Sequence, residues 1–74
     1  MVKKILLNKD SEYITLGQFL KFVGLVQTGG EAKYFLEQAT IQVNGQDESR
    51  RGKKLRSGDQ IRINGTHEFI ISES

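Results

Sequence analysis

Between residues 50 and 56 the chain reads Arg50-Arg51-Gly52-Lys53-Lys54-Leu55-Arg56, five cations in seven positions with no acid among them. The chain has eleven Lys and Arg against nine Asp and Glu, a formal net charge of +2, so this run holds +5 while the remainder sums to −3. Positive charge is therefore placed rather than spread. The chemistry such a cluster offers is polyanion binding, because each cation that meets a phosphate releases condensed counterions. Arginine's fork grips phosphate bidentately and lysine adds a point charge. Arg50, Arg51, Lys53, Lys54 and Arg56 are the leading candidates for these contacts. The competing reading is a solvated loop that keeps a small protein in solution. Gly52 is expected to adopt a positive φ that lets both halves of the run face one way.

Other chemistry is thinly represented. With no cysteine there is no disulfide framework, thiolate zinc site or cysteine nucleophile. His67 is the sole histidine and has no second His or Cys beside it, so no metal site is expected. Asp47 and Glu48 lack a partner base and read as surface charge offsetting the basic run. No nucleophile–base pair or phosphate-loop motif occurs, and 74 residues leave little room for a pocket, so neither an enzyme nor a cofactor is expected. No apolar run approaches the ~20 residues that span a bilayer. The opening Met1-Val2-Lys3-Lys4-Ile5 leads into only a short apolar stretch, which does not resemble a signal peptide. The expectation is one domain over residues 1–74, monomeric, cytoplasmic and without a membrane partner; the absence of cysteine fits a reducing compartment. Hydrophobic content of 36% is modest but well patterned, which argues against disorder.

That patterning shows which elements hold the basic run. Lys3 to Leu7 suits a short strand with Ile5 and Leu7 on one side and Leu6 on the other, and residues 8–14 are polar and turn-like. Thr15 and Gln18 have capping-box spacing. Leu16, Phe19, Leu20 and Val23 then recur at helical intervals, and Gly24 stands where a left-handed residue would close the helix. Thr28 and Glu31 repeat the box, followed by the stripe Ala32, Phe35, Leu36 and Ala39. Both helices are short enough to depend on packing, and the four-residue gap predicts a two-helix hairpin lying on something flat. Ile41 and Val43 alternate with Gln42 before Asn44-Gly45, the strongest short hairpin signal. Ser57-Gly58-Asp59 turns into Ile61 and Ile63, and Asn64-Gly65 leads to Phe69 and Ile71. The fold class expected is α+β: strand, helix, helix, then three to five short antiparallel strands, with the helices on one side of the sheet. The basic run falls between strands, on a loop or strand edge, where its charges have a fixed place.

Leu16-x-x-Phe19-Leu20, Thr28-Gly29-Gly30-Glu31-Ala32-Lys33, Ile41-Gln42-Val43-Asn44-Gly45, Arg50-Arg51-Gly52-Lys53-Lys54-Leu55 and Gly58-Asp59 stand in the order and spacing of the S4 RNA-binding domain. The chain resembles that family from about Ile14 to Ile63, and the opening Thr15-Leu16-Gly17-Gln18-Phe19-Leu20-Lys21 is similar to its small stand-alone YaaA-like form. The resemblance implies the αL-like S4 fold, a two-helix hairpin packed on a small antiparallel sheet. It also implies a non-catalytic module that recognises structured RNA, rRNA or tRNA, with the ribosome as a candidate partner. With Ser74 just past the last strand, no appended domain is expected. The family often has arginine where Thr15 stands and again at Gly29, so two of its usual RNA contacts are absent here. A glycine often found just before the strand at Ile41-Gln42-Val43-Asn44-Gly45 is Ala39.

Within that frame the candidate RNA-binding residues are Lys21, Gly29, Gly30, Lys33, Arg50, Arg51, Gly52, Lys53, Lys54 and Arg56. Gly29-Gly30 opens a helix whose first N–H groups suit a phosphate; alternatively Thr28 and Glu31 occupy those donors and the glycines only shape the turn. Lys33 lies about 100° off the apolar stripe, beside that helix start, and Lys21 occupies a comparable place on the first helix. Tyr34, nearly opposite the stripe, either offers a stacking face to an unpaired base or is covered by the N-terminal segment. Phe22 reads as satellite core, and Asn44 as a turn former. The alternative function is a protein-interaction adaptor, ribosome-associated, with weak or no direct RNA binding. The two readings differ in salt dependence and in whether an apolar patch is exposed. DNA binding shares the basic run but lacks a helix with an Arg- and Lys-rich outer face.

Overall fold

In the computed structural model, which describes residues 2–7 and 12–73, every apolar alternation in the sequence becomes a strand face. The elements are β1 (Val2–Leu7), β2 (Ile14–Thr15), α1 (Leu16–Phe22), α2 (Gly29–Gln38), β3 (Ile41–Val43), β4 (Gln46–Asp47), β5 (Lys54–Leu55), β6 (Gln60–Ile63) and β7 (His67–Glu73). Five strands form one sheet in the order β1-β7-β6-β3-β4, and β2 pairs with β5 in a separate antiparallel ribbon. The later strands pair antiparallel, β3–β4 and β6–β7 as hairpins and β3–β6 across a longer connection. β1 joins the edge parallel to β7, with Ile5 opposite Ile71, so the sheet is mixed. Of the polar stretch at 8–14, residues 8–11 lie outside the described residues.

One face of the sheet carries Ile5, Leu7, Ile41, Val43, Ile61, Ile63, Phe69 and Ile71, all buried. The two helices cover it with Leu16, Phe19, Leu20, Ala32 and Leu36, and Phe19 meets Phe69 edge to face at 5.2 Å. The fold is the expected α+β arrangement of a helix hairpin on a small sheet. Burial of these stripes is what makes helices of seven and ten residues stable.

The caps form with one difference. Thr15 and Gln18 make a complete capping box. Gly24, at φ 82°, closes α1 with two bonds, its own N–H to the Lys21 carbonyl and that of Leu25 to the Leu20 carbonyl. At α2 the Thr28 hydroxyl accepts the Glu31 N–H, but the Glu31 carboxylate reaches one residue further back and accepts the N–H of Gln27.

The two hairpin asparagines do more than turn the chain. Asn44 and Asn64 hold φ of 54° and 53°, and each extends the β3–β6 ladder by one rung with its side chain. The Asn44 N–H donates to the Gln60 carbonyl while its Oδ1 accepts the Gln60 N–H. At the opposite end the Asn64 N–H donates to the Thr40 carbonyl and its Oδ1 accepts the Thr40 N–H. Asn44 also donates through Nδ2 to Asp59, tying two turns together. Replacing Asn64 with alanine removes a hydrogen bond worth about 1 kcal/mol and puts at positive φ a residue that tolerates the left-handed region less well than asparagine, for about 1 kcal/mol more. At Asn44 two side-chain bonds are lost. Chemical denaturation should show Asn64→Ala less stable by about 2 kcal/mol and Asn64→Gly by about half that.

Candidate nucleic-acid interface

The basic run is held in place by backbone bonds, so its cationic side chains are not needed to fix the loop. β2 and β5 pair Ile14 with Leu55 and Thr15 with Lys54. The Lys53 carbonyl then accepts the Leu16 N–H at 2.8 Å and the Arg51 carbonyl accepts the Gly17 N–H at 2.9 Å. With the Thr15 hydroxyl on the Gln18 N–H, the first three amides of α1 are all satisfied. The loop thus caps the helix, and the helix fixes the loop.

Gly52 does not take the positive φ expected of it: among the described residues, Asn44, Asn64, Gly24, Gly45, Gly58 and Gly65 do. The turn is closed by the Lys53 N–H on the Arg50 carbonyl, and the bonds to α1 set its direction, so no left-handed residue is required.

Arg51 is the best-placed cation. Its stem lies across Gly17, where an added Cβ would stand 2.5 Å from the Arg51 Cγ, and Nη1 donates to the Gly29 carbonyl at 3.2 Å. The guanidinium therefore sits 3.4 Å from where a side chain on Gly29 would begin. The loop supplies charge to a place where residue 29 has none. This is the wrong end of α2 for a cation, because the helix dipole is positive there. Of the α2 amides, Glu31's is taken by Thr28, and those of Gly29 and Gly30 have no protein partner among the described residues. Two unpaired amides, the dipole and the guanidinium add to one electropositive spot, offset in part by Glu31, which is turned back onto Gln27. An anion would relieve that excess.

Gly17, Lys21, Gly29, Arg51 and Gly52 line one shallow hollow of about 220 Å³. Lys33 and Arg51 border a second hollow further along α2 together with Ser49 and Glu37. Arg51 is thus the hinge of a surface running from Lys21 to Lys33. The other cations of the run are distributed around it. Arg50 turns away into an ion pair with Glu48 at 3.1 Å, Lys53 is half-buried, and Lys54 and Arg56 lie over the Tyr13 ring at 5.0 and 5.9 Å from its centroid. Gly30 is exposed at the start of α2.

The Glu48 carboxylate, hydrogen-bonded by the Arg50 side chain and by the amides of Arg50 and Ser49, is held below the usual carboxylate range, and Arg50 is correspondingly raised. Since the folded value lies below the unfolded one, this pairing stabilises the protein at neutral pH. The contribution is lost as pH falls through the lowered Glu48 value. Acid titration of thermal stability should therefore show a shallower decline for Glu48→Gln than for the parent, with Arg50 freed in the variant.

Several residues differ from their sequence reading. Phe22 is 64% exposed instead of satellite core, because Leu16, Phe19 and Leu20 already fill the space beneath α1. For Tyr34, read as either an open ring face or a covered one, the structure gives the open alternative, with 66% of the residue exposed and no described segment over it. Tyr13 was not singled out, and Gly17 was read only as part of the motif opening the first helix, with no role of its own. The β2–β5 register brings Tyr13 beside Arg56, and a two-residue strand leaves no periodic signal from which to infer it. The only hint was an aromatic two residues before the capping box. Asn44 is a turn former, as expected, with its side chain fully engaged in the fold. Among the described residues no cluster could hold a metal ion, and no helix is long and apolar enough to cross a membrane.

The S4 domain family matches residues 6–71 of the chain. The "Probable ribosome maturation protein RlbA" of Bacillus subtilis (strain 168) is 48% identical over 62 residues, covering 84% of this chain and 87% of that protein.

Proposed function

From the premise that the chain belongs to the S4 domain family, we propose that it is a non-catalytic module that binds structured RNA through the surface centred on Arg51. The observation that carries this reading is the placement of Arg51 beside the open N-terminal amides of α2, by backbone bonds that leave its charge unpaired by any acid among the described residues. Lys21 and Lys33 extend the surface on either side, and Lys54 and Arg56 add charge at Tyr13. The contacts are to phosphate, so they recognise shape and position more than sequence. The relative's name points to ribosome maturation, which favours ribosomal RNA over tRNA and a cytoplasmic site of action.

The test is binding of rRNA and tRNA as salt is raised. If about four phosphates are neutralised, log K falls against log salt with a slope of about −3 to −4. A flat dependence contradicts the proposal.

A second reading, the adaptor, is favoured by one observation: Leu6, Tyr13 and Phe22 are exposed together along a groove. An adaptor would bind a protein partner there with little response to salt.

A further inference from the structure

The groove between β1 and α1 has a chemistry that the phosphate surface does not use. It is an open groove of about 540 Å³ lined by Leu6, Tyr13, Ile14 and Phe22 together with Gln18 and Lys21. Leu6 is 54%, Tyr13 39% and Phe22 64% exposed, so three large apolar side chains meet solvent along one groove. We infer that this groove receives an unpaired base of the RNA whose phosphates lie on Arg51 and Lys21, an inference that rests on the function proposed above.

Three observations choose a base over other apolar occupants. The groove adjoins the phosphate surface: Gln18 and Lys21 border both this groove and the hollow at Arg51 and Gly29. A backbone lying on Arg51 has only one turn of α1 to cross before a base can turn in. Two of the exposed groups are aromatic rings, and ring stacking is the sequence-tolerant way to hold an extruded base. The charge around the groove is cationic. Lys21 lines it, Lys54 and Arg56 lie over Tyr13, and no acid borders it among the described residues. That pattern suits a nucleotide, which brings a phosphate with every base. The volume falls within the range of small-ligand pockets.

The chemical class of target follows: folded RNA with a bulged or looped-out nucleotide beside a paired stem. Phosphate contacts carry no sequence information, so a generic probe serves. We would compare a fully paired RNA hairpin with the same hairpin carrying one bulged adenosine, for the parent and for Phe22→Ala, whose side chain is exposed and whose loss should leave the fold intact. The parent is expected to prefer the bulged hairpin by about tenfold, in line with the strength of base–aromatic stacking. Phe22→Ala should lose that preference while keeping the parent's affinity for the paired hairpin and its salt slope. Equal binding of both hairpins by the parent, or an undiminished preference in Phe22→Ala, overturns the inference and leaves the phosphate surface standing. Binding of neither hairpin removes the RNA reading itself and the inference with it. Equal hairpin binding together with Phe22-dependent capture of a ribosomal protein would assign the groove to a protein partner.

Discussion

Changing Arg50, Arg51 and Lys53 together to alanine lowers RNA affinity by about a hundredfold at low salt, and the domain stays folded. The size follows from losing charge-assisted phosphate contacts of roughly 1.5–3 kcal/mol each, discounted because the three cations are not equivalent. Arg50 is already partnered by Glu48 and Lys53 is half-buried, so Arg51 carries most of the loss. The slope of log K against log salt should become shallower by about 1 to 2. The fold survives because the backbone carbonyls of Arg51 and Lys53, not their side chains, cap α1. Circular dichroism of the variant checks this arm. An unfolded variant would mean that the side chains hold the loop, and unchanged affinity would remove the loop from the interface.

Gly17→Ala should cost RNA affinity without removing a single candidate cation. On helix propensity alone the substitution stabilises α1 by about 1 kcal/mol, since Gly17 is not among the residues at positive φ. The new Cβ, however, would meet the Arg51 Cγ at 2.5 Å and Cδ at 3.2 Å, with the Arg51 carbonyl at 3.4 Å. Cγ is near the root of the side chain, so rotating the tip does not relieve the clash. Arg51 must leave the groove over α1, and its bond to the Gly29 carbonyl is lost with it. The two effects oppose each other in stability and act in one direction on binding. Melting temperature is expected to change little while affinity drops about tenfold, the loss of one phosphate-bonded cation. A double-mutant cycle with Arg51→Ala decides the cause: if Gly17 acts by placing Arg51, the second change adds almost nothing to the first. Additive losses would mean that Gly17 matters for another reason.

Much of the fold was legible because local rules and burial agree. Threonine caps preceded both helices, Asn-Gly pairs marked two turns at left-handed φ, and apolar alternation at Ile41, Ile61 and Phe69 gave the sheet its buried face. What escaped were relations between segments distant in sequence. The parallel pairing of β1 with β7 joins the two ends of the chain, and neither strand's pattern names its neighbour. The β2–β5 ribbon has two residues a side, so its capping of α1 and its delivery of Arg51 to Gly17 and Gly29 were invisible, although every residue involved could be read. For the same reason the basic run was legible as charge but not as geometry. Its cations divide among Glu48, Gly29 and Tyr13, and Gly52 takes an ordinary φ because its turn is fixed from outside. Phe22 was misjudged because helical angle alone does not show where the sheet beneath a short helix ends.

The most direct test of the central claim is crosslinking of the protein to RNA in cells, followed by sequencing of the attached RNA, with the Arg50, Arg51 and Lys53 triple-alanine variant alongside. The Arg51-centred surface predicts enrichment of a defined rRNA region by the parent and its loss in the variant. Enrichment that persists in the variant, or no RNA above background from the parent, would contradict it.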